Sequence, residues 1–272
     1  MSIRFVPTHV RSAIDIVETE HERTVTERDA LAKFADRTSE LGDGAVNLNS
    51  DQVQRSPSQT LLISETTEHT ESQLARVRDI YRETIMNVSH YEEDYGDSLP
   101  KSLAEEFGPE IAAAVTTGDQ LSPPIRTQLI DATHQARESR HALLQGLKNE
   151  HDALETAHEN LIRIGADLEN VLSTRSFHSW SDEDLVAARD HLHTCEQDCD
   201  RLAADRQDTL HEQRLPSTHR VDHEFNHYLY ESLAVSYPVL IDVTSLVQTL
   251  RNSQRDLNRV LTSRHSDRSS CV

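Results

Sequence analysis

Apolar residues recur along most of this chain in steps of three and four, and each long stretch that keeps the step predicts a helix. The first runs from about Thr8 to Leu41, with Val10, Ile14, Val17, Leu31, Phe34 and Leu41 on one face and Gly42 and Gly44 as stops. Residues 42–65 lose the period and carry turn-forming residues, so they read as a linker. A second helix covers about 66–88 through Leu74, Val77, Ile80, Tyr81 and Ile85. Short helices follow at about 98–107 and 109–117, parted by Gly108-Pro109 and closed by Gly118. Ser122-Pro123-Pro124 then reads as a cap with proline in the first turn of the next helix.

The strongest pattern lies between Ile125 and Leu172. Leu143, Leu147, Glu150, Leu154, Ala157, Leu161, Ile164, Leu168 and Val171 alternate steps of four and three, a heptad seam. Leu147, Leu154, Leu161 and Leu168 form one register of it. After a break at 173–181, Ser181 caps a return helix to about Arg214. Its seam is Leu185, Ala188, Leu192, Cys195, Cys199, Leu202, Arg206 and Thr209. Two heptad helices joined by a short connection predict an antiparallel coiled-coil hairpin over 125–215. Residues 1–41 are long enough to join it as a third stalk helix. A helix over about 218–234 and a last one ending near Ser263 complete the chain, with 264–272 read as a flexible tail. Five of the six tyrosines fall in two short stretches near Tyr91 and Tyr230. Aromatics suit compact cores better than coiled-coil seams, so 66–124 and 216–263 read as two halves of a small helical head. The predicted class is all-α and elongated, a coiled-coil stalk on a head.

Composition adds a setting. Only 36% of residues are hydrophobic, and 7 Gly with 8 Pro are too few turn formers for a many-stranded sheet. Forty-seven acidic residues face 27 basic ones, and only Lys33, Lys101 and Lys148 among the bases are lysine. A net charge of −20 repels nucleic acid and anionic membranes. In molar salt, where the Debye length shrinks to ~3 Å, the same surface stops repelling itself. The chain therefore reads as a halophilic, cytoplasmic protein whose partner is another protein or a second copy. No apolar run suits a membrane span, residues 1–10 lack the apolar stretch of a signal peptide, and three cysteines do not make a disulfide framework.

The stretches YRETIMNVSHYEEDYGDSL (81–99), EEFGPEIAAAV (105–115) and YLYESLAVSYPVL (228–240) resemble an uncharacterised family of haloarchaeal helical proteins. The family has no assigned activity, cofactor or catalytic residue, so the resemblance implies an all-helical fold and nothing about chemistry.

Four constellations could carry chemistry. His223-Glu224-Phe225-Asn226-His227 is a literal H-E-x-x-H, in which His223 and His227 would hold zinc and Glu224 would act as general base. On a helical wheel, however, Val221, Phe225, Tyr228 and Ser232 form the expected buried face, and the two histidines point away from it. No downstream histidine extension supplies a third ligand. His191, Cys195 and Cys199, each four residues after the last, form a second metal candidate. Both cysteines occupy seam positions, where a thiol packs as a small hydrophobe, so core packing is the expectation. Seven histidines follow an acidic residue by three, among them Glu18/His21 and Asp190/His193, a spacing used in di-iron bundles. Scattered along different helices, they read as surface i,i+3 contacts. The last helix carries Arg251, Arg255 and Arg259, followed by Arg264 and Arg268, a basic stripe that could dock on DNA or an acidic partner. Cys271 adds a thiol in the tail. The reading is of an interaction or scaffold protein with no catalytic activity and no cofactor. A zinc-dependent hydrolase at 223–227 and a regulatory protein using the C-terminal arginines are the alternatives.

Overall fold

Steps of three and four become helices most cleanly where caps and breakers agree with them, as they do at Ser72, Gly108-Pro109 and Ser181. The computed structural model describes residues 5–43, 72–173, 177–212 and 225–269, and every regular element among them is helical. These are α1 (Thr8–Asp43), α2 (Gln73–Thr84), α3 (Tyr91–Asp94), α4 (Leu99–Phe107), α5 (Pro109–Thr117), α6 (Pro123–Ser173), α7 (Asp182–Glu212), α8 (Phe225–Leu229) and α9 (Pro238–Ser269), with a 3-10 turn at Phe177–Ser179. Gly108 ends α4 at φ +90°, a backbone state that only glycine adopts cheaply, and Pro109 then opens α5. Ser181 caps α7 as expected. Its hydroxyl accepts from the Asp184 amide at 3.1 Å, and the Asp184 carboxylate accepts from the Ser181 amide at 3.3 Å.

Two expected helices are shorter and one is longer. The helix placed at 66–88 stops at Thr84 and gives way to turns, while its start falls outside the described residues. The helix expected over 218–234 is, among the described residues, the five-residue α8, because the backbone turns at Tyr230 and Glu231. The last helix continues to Ser269, with Arg264 anchored to Asp182 (2.9 Å) and to the His178 carbonyl (2.8 Å).

The chain divides into two compact units, Glu22–Leu144 and a discontinuous one made of Met1–His21 with Gln145–Val272. The described residues of 66–124 belong to the first and those of 216–263 to the second. In the first unit Leu31, Phe34, Leu74, Val77, Tyr81, Leu103, Phe107 and Val115 share one apolar core. Phe34, Tyr81 and Phe107 meet at ring separations of 5.5 to 5.8 Å, the geometry of attractive aromatic contact. The buried Tyr81 hydroxyl is matched to Ser102 at 2.9 Å. Arg78 caps the end of α5 by donating to the carbonyls of Val115 (2.8 Å) and Gly118 (3.2 Å).

In the discontinuous unit the seam positions of α6 from Leu147 to Val171 are all buried, as are those of α7 from Leu185 to Arg206. Glu150 contacts Arg206 and Arg163 contacts Asp198, so residue numbers rise on α6 as they fall on α7. The leucines of both seams are thus covered within one copy of the chain. α9 packs on α7 in the same opposed sense through Arg251–Glu196 (2.9 Å) and Arg264–Asp182. At the start of α1, Asp242 of α9 accepts from the Val10 amide (2.9 Å) and contacts the His9 ring (2.7 Å). A buried carboxylate thereby satisfies the positive end of a helix more than two hundred residues away in sequence.

Candidate functional site

Four residues separate His191 from Cys195, which puts both on the same face of α7. Asp167 on α6 approaches the same point. The potential ligand atoms of Asp167, His191 and Cys195 all lie within 4.8 Å of one another. His191 is exposed, Asp167 half-buried and Cys195 buried, so the three descend from rim to floor. Burial, then the negative charges of Asp167 and Asp198, push the Cys195 thiol up to about 11. Arg163 lies 3.6 Å from Asp167 and 3.1 Å from Asp198. His191 also lines an open groove with Asn170, Val171, Trp180, Asp184 and Ala187, in which Trp180 is held edge-on against Phe177 at 5.3 Å. Cys199, the third member of the expected set, is buried and is not one of the three residues whose ligand atoms meet. Its thiol is pushed up to about 12, first by burial and then by Cys195 and nearby carboxylates.

A second polar centre lies in the same seam. Glu150 is completely buried and receives both terminal nitrogens of Arg206, at 2.9 and 2.6 Å. The Tyr230 hydroxyl donates to the same carboxylate, and Asn226 accepts from Arg206 at 3.4 Å. Burial and the Glu150 charge raise the Tyr230 hydroxyl far above its ordinary range, so it acts as a fixed donor. Every group is committed to another, which makes this a strut between α6, α7 and the α8 end rather than a reactive centre.

In the unit Glu22–Leu144, Arg140 bridges Glu27 (3.1 Å) and Glu106 (2.8 Å). Glu27 also accepts from Tyr95 (2.7 Å) and contacts His90 (3.2 Å). Burial raises the Glu27 carboxyl, but the Arg140 charge and these hydrogen bonds outweigh it and leave the group below its ordinary value. The cluster walls a small cavity of about 50 Å³ with Leu31, Ile85 and Tyr91 on its apolar side.

A domain family of unknown function, DUF7260, matches residues 8–254. The chain belongs to that family. No curated protein and no solved structure matches it. Membership of DUF7260 agrees with an uncharacterised family and brings no activity with it. No helix of the DUF7260 chain among the described residues is long and apolar enough to cross a membrane.

Within the DUF7260 chain the H-E-x-x-H histidines are not seen together. His223 and Glu224 lie outside the described residues, and α8 is described from Phe225. His227 is exposed. The expected buried face is corrected as well: Tyr228 and Ser232 are exposed, while Asn226, Leu229 and Tyr230 are buried beside Phe225. Three residues of a short turn, not a full helical wheel, decide which side chains face inward. The C-terminal arginines have acidic or amide partners: Arg251 with Glu196, Arg255 with Asn252, Arg259 with Asp256 and Arg264 with Asp182. The side chain of Arg268, and Cys271, lie outside the described residues. Asp167 escaped the sequence reading because its partners sit on another helix. The signal was available, since Asp167 directly precedes the seam residue Leu168 and an opposed α7 carries Cys195 in its own seam.

Proposed function

We propose that this DUF7260 protein is a non-catalytic interaction or scaffold protein of a salt-rich cytoplasm. In this proposal, α6 from Gln145 onward and α7 form a coiled-coil arm that engages a protein partner or a second copy of the chain. The observation that carries it is the unbroken buried seam from Leu147 to Val171 opposite that from Leu185 to Arg206. A pair so closed on itself is stiff, because sliding would uncover leucines and strand Glu150. Stiff paired helices suit display of outer faces, and Ile162 and Val186 are exposed on this pair. The acidic, arginine-over-lysine composition supports the salt-rich setting.

The test is mass in solution combined with capture. Light scattering of the untagged chain across a concentration series in molar KCl should show a dimer, or cross-linking in expressing cells at matched salt should yield one stoichiometric protein partner. Ile162→Glu with Val186→Glu should weaken whichever assembly is found by at least tenfold. A monomer at every concentration with no stoichiometric partner would overturn the proposal.

A further inference from the structure

We infer that Asp167, His191 and Cys195 form a binding site for a divalent transition-metal ion of the zinc class. An ion at the centre of a triangle whose sides are no longer than 4.8 Å lies at most ~2.8 Å from each corner. Ordinary χ rotation closes that to the ~2.0–2.3 Å of zinc bonds to oxygen, nitrogen and sulfur. The donor set is mixed: one carboxylate, one imidazole, one thiol. Calcium and magnesium want oxygen alone, whereas zinc takes all three donor types. Among the described residues the His191 side chain makes no hydrogen bond or ion pair that would have to be broken, so a ring nitrogen is available to the ion.

The arrangement is two-helical. His191 and Cys195 come from one face of α7 and Asp167 from the facing side of α6, so an ion would clamp the pair near the end of the seam where α6 finishes and α7 begins. Binding replaces the thiol proton of Cys195, which leaves to water, with the metal. Asp167 and the thiolate together then balance a divalent charge. Arg163 gives up its 3.6 Å contact with Asp167 and keeps its 3.1 Å pair with Asp198. Three protein ligands leave a fourth tetrahedral position for water on the side of His191, the member of the trio that lines the groove with Trp180. The site differs from the trio His191, Cys195 and Cys199 that spacing alone suggests: Cys199 is replaced by a carboxylate from the neighbouring helix.

Cobalt(II) is the probe, because a thiolate ligand gives it a charge-transfer band and tetrahedral coordination gives it strong visible absorption. The untagged full chain, freed of metal and held in molar KCl, should bind one cobalt with both signatures, and zinc should displace it. Cys195→Ser should abolish the charge-transfer band. Asp167→Asn and His191→Gln should each weaken zinc at least tenfold, and Cys199→Ser should leave the spectrum unchanged. If Cys195→Ser fails to fold by circular dichroism, the two rim variants carry the test, since neither removes a core group. No thiolate band in the parent chain would overturn the site. A band that survives Cys195→Ser, or one lost only in His223→Ala or Cys199→Ser, would overturn it equally by locating the metal elsewhere.

Discussion

Glu150 is completely buried, and its carboxylate is met by both terminal nitrogens of Arg206 and by the Tyr230 hydroxyl. Such a pair gives little net stability, since the desolvation of two ions offsets most of their attraction. Its value lies in register. Seven residues before Arg206 stands Cys199, so a slip of one heptad would set Glu150 against a thiol and strand its charge. The two halves of this statement separate in a mutant cycle. Glu150→Leu alone, or Arg206→Met alone, should cost about 3–5 kcal/mol in urea unfolding, because the partner is left buried and unpaired. Both together, with Tyr230→Phe, should recover most of that loss. Single variants costing under about 1 kcal/mol would show the pair to be hydrated instead.

At the scale of elements, two glycines with the same side chain have opposite meanings. A methyl group on Gly146 of α6 would meet the Phe225 ring at 3.7 Å, an ordinary contact, so Gly146→Ala should stabilise by about 0.5–1 kcal/mol through helix propensity. At Gly118, after α5, the same methyl would lie 2.7 Å from the Ala114 carbonyl oxygen and 2.8 Å from Leu74. Gly118→Ala should therefore destabilise by about 1–3 kcal/mol. Thermal melts of the two variants check both signs at once. The elements themselves were largely legible. α1, α4, α5, α6 and α7 fall within two residues of their expected ends, because long seams and Gly or Pro breakers are local signals. The end of α8 at Leu229 was not legible, since the turns at Tyr230 and Glu231 interrupt a stretch with no glycine or proline to mark the stop. Nor were the partners of Glu27, Arg140 and Glu106, which lie on three different helices. A seam tells which face is buried and leaves open what it is buried against.

For the whole molecule, the −20 charge sets the conditions of stability. Raising salt from 0.1 to 1 M shortens the Debye length from ~10 to ~3 Å and removes most repulsion between surface carboxylates. The buried pair Glu150–Arg206 and the half-buried pair Glu27–Arg140 are screened far less. The melting temperature should therefore rise by at least ~3 °C over that range, the shift that ~1 kcal/mol makes in a chain of this size. A flat or falling curve in calorimetry would show that surface charge does not limit the fold. The Asp242 contact to the first turn of α1 has a different bearing, on the order of assembly. A chain leaves the ribosome from its beginning, and domains fold as their last residues emerge. The unit Glu22–Leu144 is contiguous and is complete while the second half is still being translated. The first turns of α1 must wait, their opening amide uncapped, until Asp242 is made more than two hundred residues later. The start of α1 thus reaches its final place only after α9 has begun to emerge.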